Sequence, residues 1–173
     1  HERSIHADVA MALAREAQQT LRPDLRLMVM SATLDMPQLT QLRNAPVAQS
    51  LGRQYPIETI YAGETDEGLL PEFTARTVVQ ALREQTGDVL VFLPGEGDIR
   101  KTEAILRKQL RDVAIHPLFG MLPSGKQYAA IMPDRQGKRK VVLATSIAET
   151  SLTIEGVGVV VDTGFGKTHA ALA

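Results

Sequence analysis

Five hydroxyl residues fall in one short window of the chain: Thr145, Ser146, Thr150, Ser151 and Thr153, in the run ATSIAETSLTIEG. Hydroxyls both donate and accept hydrogen bonds, and a helix that starts at the end of a strand adds free backbone N–H groups pointing outward. Together these groups suit phosphate oxygens. Ser146 with Glu149 three residues later also has the form of a capping box, which accounts for that pair on structural grounds alone. The two readings are compatible, because a capped helix still presents its amino end.

Two apolar, β-branched runs bracket the window, at residues 141–143 and 157–161. Short apolar runs bounded by polar turns read as buried strands of a parallel sheet. Such sheets bind ligands beyond the carboxyl ends of their strands, where the hydroxyls stand. Further strands are expected at residues 57–61, 88–93 and 113–118, and helices at about 71–85 and 98–110. On the first of these helices Leu70, Phe73, Thr77, Val78, Ala81 and Leu82 share a face. On the second, Ile99, Leu106 and Leu110 face inward, while Arg100, Lys101, Arg107 and Lys108 form a solvated face. Strand and helix in alternation argue for right-handed βαβ units around one sheet.

Nearer the start, Ser4 is a candidate N-cap for a helix carrying Ile5, Val9, Leu13 and Ala17, with Asp8 near its amino end. Residues 25–30 read as another strand, running into Ser31-Ala32-Thr33. Ser124 and Gln127 form a second capping box, and Arg135, Lys138, Arg139 and Lys140 make the most basic patch in the chain.

The length of 173 residues suits one domain plus a piece of another, and 44% apolar residues allow an ordinary core. A net charge of −1 advertises no global affinity for nucleic acid, so any phosphate binding must be local. With no cysteine there are no disulfides and no thiol chemistry. No signal peptide and no membrane-length apolar run is seen, so a cytoplasmic protein is expected, without a membrane partner. The first residue is His1, and the sequence reads as an internal fragment.

At ATSIAETSLTIEG the chain resembles motif V of the DEAH-box helicases, the superfamily 2 ATP-dependent RNA helicases. His1-Glu2-Arg3-Ser4 is similar to the end of motif II of that family, VMSATLD to motif III, GRQYPIE to the segment that joins the two domains, and VLVFLPGEGDI to motif IV. PGEGDIR, and Glu155 where many relatives have Asp, resemble the bacterial HrpB-type branch. The resemblance implies an α/β fold, a RecA-like parallel sheet with flanking helices. Residues 1–52 would close the first RecA-like domain and 53–165 would form most of the second.

It also implies roles. His1 would end motif II, and Ser31 and Thr33 would couple the ATP site to the nucleic-acid groove. Thr145 and Ser146 would contact the RNA backbone, although many relatives have Asn at the position of Ser146. Thr153 and Glu155 would face the nucleotide. ATP and Mg²⁺ would be the cofactors and single-stranded or structured RNA the partner, with no metal ligand inside this stretch. Contacts of this kind hold a strand without reading its bases. The phosphate-binding loop, the acids of motif II and the arginine-rich motif VI are not seen, so this stretch alone is expected to be inactive. Two other functions fit less well: a DNA-directed superfamily 2 ATPase, and a RecA-like module used only for protein interaction.

The end of the chain departs from the family. Thr163 to Thr168, TGFGKT, has the form of a phosphate-binding loop, but Val161 occupies the place of its first glycine and the loop would follow motif V instead of preceding motif II. Residues 166–173 therefore read as a tail, a sequence error or a fusion junction.

Overall fold

The computed structural model describes residues 4–30, 45–52, 55–120, 122–145 and 153–165. Its contacts divide the chain into two units, His1–Ile57 and Glu58–Ala173.

In the first unit, helix α1 (Ile5–Thr20) begins as its sequence dictates. Ser4 is extended, its hydroxyl accepts from the Ala7 N–H at 3.1 Å, and Asp8 lies in the first turn. None of the helix is buried, and Ile5, Val9 and Leu13 are exposed. The expected strand at residues 25–30 is not formed: the backbone there is irregular, and Met28 and Met30 are 82% and 83% exposed. A strand is held by its neighbours, and this run pairs with none among the described residues. The strand expected at 57–61, where the first unit gives way to the second, fails in the same way, with Ile57 and Tyr61 exposed.

The second unit is a four-stranded, all-parallel sheet. A 3₁₀ turn (Glu67–Leu69) leads into α2 (Leu70–Glu84), where Pro71 opens the first turn at no cost in hydrogen bonds. There follow β1 (Asp88–Phe92), α3 (Glu96–Gln109), β2 (Val113–Leu118), α4 (Ser124–Ile131), β3 (Arg139–Ala144) and β4 (Val157–Asp162). The strand order is β2-β3-β1-β4. β3 is the most deeply buried strand, flanked on both sides, so its run reads as continuous Val-Val-Leu without alternation.

Helices α2 and α3 cover one face of the sheet through Leu70, Ala75, Val78, Ile99 and Leu106, against Val89, Val91, Val141 and Leu143. Helix α4 covers the other through Ala130, against Leu118, Val142 and Ala144. Two details of the helices differ from expectation. The buried stripe of α2 runs through Leu70, Thr74, Ala75 and Val78, leaving Phe73 and Thr77 half-buried, so small residues and not the largest ones face the core. Ser124 does not cap α4: it is the first helical residue, Pro123 takes the cap position, and Gln127 donates from its Nε2 to the Leu122 carbonyl at 2.8 Å.

Candidate functional site

Because every strand is parallel, all four carboxyl ends lie on one edge, with Leu118, Ala144, Phe92 and Asp162 in mutual register. The chain leaves β1 for α3 on the first face. After β3 it returns with Ile154 packed on the opposite face, against the cluster that holds α4. β1 and β3 are neighbours in the middle of the sheet, and the strands that follow them in sequence, β2 and β4, lie on opposite sides. Open parallel sheets bind ligands at the carboxyl edge of such a switch point.

Thr145 follows Ala144 at that edge. Its N–H donates to the Leu118 carbonyl at 3.3 Å, and beside it the Leu93 N–H donates to the Ala144 carbonyl at 2.8 Å. The backbone is thus tied into the sheet on both sides. The Thr145 hydroxyl is buried and has no hydrogen-bond partner among the described residues. Thr163, two strands away on the same edge, shows the contrast: its hydroxyl donates to the Phe92 carbonyl at 2.9 Å. A buried hydroxyl left unpaired costs about 1–3 kcal/mol, so Thr145 is the polar group of this edge for which the fold supplies no use. The opening of TGFGKT, by comparison, is spent on structure, with Thr163 bonded as stated and Gly164 N–H donating to Asp162 Oδ1 at 2.9 Å.

Glu155 lies at the opposite edge. The carbonyl of Gly156, its neighbour, accepts from the Asp88 N–H at 2.8 Å, where β1 begins. The length of a strand, about 17 Å for five residues, therefore separates the Glu155 end of motif V from Thr145. Thr153 and Glu155 are both exposed. The fold places Thr145 at one edge and Glu155 at the other. His1, Ser31, Thr33 and Ser146 lie outside the described residues.

The basic patch read from the sequence is largely consumed by the fold. Arg139 donates to three carbonyls, those of Leu82 (2.7 Å), Gln85 (3.0 Å) and Gly87 (2.9 Å), and so caps the carboxyl end of α2. Lys140 is fully buried, its Nζ donating to the carbonyls of Ala130 (3.0 Å), Ile131 (3.5 Å) and Met132 (2.7 Å) at the end of α4. Cations are favoured at helix carboxyl ends, where carbonyls lack intrahelical partners. The signal was present in the strand period: Lys140 falls on the same face as Val142 and Ala144, one loop after a short helix. On α3, Arg107 pairs with Glu103 at 2.7 Å and Arg100 with Glu96 at 3.3 Å, so these two cations belong to a solvated, ion-paired face as expected.

Lys140 leaves its mark on His116 of β2. Burial, then the charge of Lys140, pushes the imidazole below its ordinary value, with a smaller opposing pull from Asp134. Asp134 is itself held below the usual carboxylate range by the backbone N–H groups of Lys138 and Gln136, which donate to it at 3.0 and 2.9 Å. Among the described residues no group of three or more His, Asp or Glu could hold a metal ion, and no helix is long and apolar enough to cross a membrane.

A parallel sheet with this edge chemistry defines a class that comparison makes explicit. Residues 73–173 match the helicase conserved C-terminal domain, and the chain belongs to that family. Among individual proteins it is similar to the ATP-dependent RNA helicase HrpB of Escherichia coli, at 48% identity over 164 residues, 94% of this chain and 20% of that protein. Two crystal structures agree. One is titled as the E. coli DEAH/RHA helicase HrpB, with a TM-score of 0.84, 46% identity, and coverage of 96% of this chain and 22% of that one. The other, of the E. coli DExH-box NTPase HrpB, gives 0.75 and 48%, with coverage of 94% and 20%. The chain thus spans about a fifth of the length of these relatives.

Proposed function

We propose that the chain is part of an ATP-dependent RNA helicase of DEAH/HrpB type, holding the end of the first RecA-like domain and most of the second. In this reading the carboxyl edge of the sheet meets the RNA backbone and the amino edge turns toward the nucleotide. The observation that carries it is the unpartnered Thr145 hydroxyl at the switch point between β1 and β3. A phosphate oxygen is the acceptor that hydroxyl lacks, and Ser146 is the next residue able to donate. The hydroxyl is shielded from solvent, so engaging it requires a local rearrangement. Such a requirement suits a segment that moves during a translocation cycle.

At the other edge, Glu155 and Thr153 are exposed, as a contact to a ribose or to a metal-bound water would need. ATP and Mg²⁺ would supply the phosphoryl chemistry when bound. The resemblance assigns the ion's ligands to the acids of motif II, which this sequence does not contain. His1 is assigned to the end of motif II, and Ser31 and Thr33 to the coupling of the two sites.

The test is RNA-stimulated ATP hydrolysis by the full parent protein. Thr145→Ala is expected to lose RNA stimulation, and the Ser31→Ala/Thr33→Ala double variant to hydrolyse ATP without unwinding. Stimulation by single-stranded DNA equal to that by RNA would replace this reading with a DNA-directed motor. Unchanged activity in both variants would leave the motifs with structural roles only.

A further inference from the structure

We infer that Asp88 is a positioning residue: it holds the turn that carries Glu155 in fixed register with β3. The inference rests on the nucleotide-facing reading of that turn given above, and adds the residue that sets its place.

The β1–β4 ladder cannot do this by itself. Asp88 pairs with Val157 but Val89 pairs with Val159, so Gly158 is an extra residue and the ladder slips at this point. A bulge loosens register and leaves the residues before it free of the regular pairing. What precedes the bulge is Thr153 to Val157. Asp88 reaches across it in two ways. Its N–H donates to the Gly156 carbonyl at 2.8 Å, and its Oδ1 accepts from the Lys140 N–H of β3, also at 2.8 Å. Its Oδ2 lies against Gly156, where an added Cβ would come within 3.1 Å of it. Gly156 has φ +85°, a conformation that side-chain-bearing residues rarely adopt.

Close backbone packing surrounds this hub. A Cβ on Gly87 would lie 3.0 Å from the Gly158 backbone, and Arg139 donates to the Gly87 carbonyl at 2.9 Å. β3 itself is held by ladders on both sides, Arg139 to Ala144 against β2 and Val141 to Ala144 against β1. It therefore makes a rigid reference, and loss of one bond at its start leaves its Thr145 end in place. The β1–β3 ladder begins at Val89, so the carboxylate is what ties Asp88 to β3; removing it keeps the backbone bond to Gly156 and lets Asp88 and the turn shift together against the strand.

The experiment uses the full parent protein with Asp88→Ala, Asp88→Asn, Gly156→Ala and Glu155→Ala. KM for ATP and kcat are read at saturating RNA, beside the affinity for a single-stranded RNA. Asp88→Ala is expected to raise KM for ATP roughly tenfold with kcat and RNA affinity changed less than about twofold, the pattern of lost ground-state positioning. Asp88→Asn keeps an acceptor oxygen toward Lys140 and is expected to restore KM to within about twofold. Gly156→Ala displaces the turn without deleting the β3 bond and should raise KM likewise, which covers the case in which Asp88→Ala does not fold. A fall in Tm or in active fraction at unchanged KM, in both Asp88→Ala and Gly156→Ala, would overturn the inference. Glu155→Ala separates the two ideas. If it raises KM and the Asp88 and Gly156 variants do not, only the positioning role fails. If it leaves KM unchanged while they raise it, Asp88 positions the turn but Glu155 is not the contact. No change in any variant removes both.

Discussion

At the amino edge of the sheet, Arg139 satisfies three carbonyls, Lys140 three more, and Asp88 bonds both β3 and the Gly156 turn. At the carboxyl edge Thr145 keeps a buried hydroxyl with no partner among the described residues. The residue types are comparable, but one edge closes its polar groups on itself and the other leaves one open. Buried groups paired internally serve the fold, while Glu155 at the same edge stays exposed. A buried donor left unpaired lowers stability; the hydroxyls of Thr74 and Thr102 are also unpaired among the described residues, but they lie inside the helical layer, whereas Thr145 stands at a strand's carboxyl end. The carboxyl edge is also where the strand order diverges, so topology and hydrogen bonding point to the same place.

The comparison can be broken by substitution, and the largest effects belong to the closed edge. Lys140→Met should destabilise the chain by about 3 kcal/mol in urea unfolding, because it removes the buried ammonium that bonds the Ala130 and Met132 carbonyls at the end of α4. Gly158→Ala should cost about 2 kcal/mol or more, since a Cβ there would run into the Thr86 carbonyl oxygen. Arg139→Ala should cost about 2 kcal/mol through loss of three charge-assisted bonds to carbonyls of α2 and the following turn.

At the open edge the sign should reverse. Thr145→Val keeps the shape and deletes the unpaired hydroxyl, so stability should hold or rise by up to about 1 kcal/mol while RNA stimulation of the parent's ATPase is lost. Destabilisation with activity retained would reverse the assignment of the two edges.

The smallest effect concerns His116. Its folded value is lowered from 6.5, so the unfolded chain binds more protons and stability rises with pH across the window. The stabilisation is complete above about pH 6.5 and is lost as pH falls from there through the folded value. His116→Gln should flatten that part of the pH–stability curve. An unaltered curve would mean that Lys140 and burial do not act on this imidazole.

Much of this was legible from residue order. The strand at Val113–Leu118 falls where its apolar run stands, β4 extends one residue beyond its predicted end, and Ser4 caps α1 as its position before an amphipathic run implies. The family was legible too, because ATSIAETSLTIEG carries its own pattern irrespective of the fold around it. The failures have a common cause. Residues 25–30 and 57–61 have the composition of strands, but composition does not supply a neighbouring strand to pair with.

What the sequence determined by itself was local or periodic: caps, the βαβ alternation, the motifs and the family they mark. Only the tertiary structure decided the order β2-β3-β1-β4, which of the basic residues were already bonded, and that Thr145 and Glu155 stand at opposite edges. Arg139 meets Leu82 from 57 residues away, and Lys140 meets Asp88 from 52. Hydrophobic period and capping patterns reach about one turn or one strand along the chain, so contacts at that separation are set by the packing of the sheet.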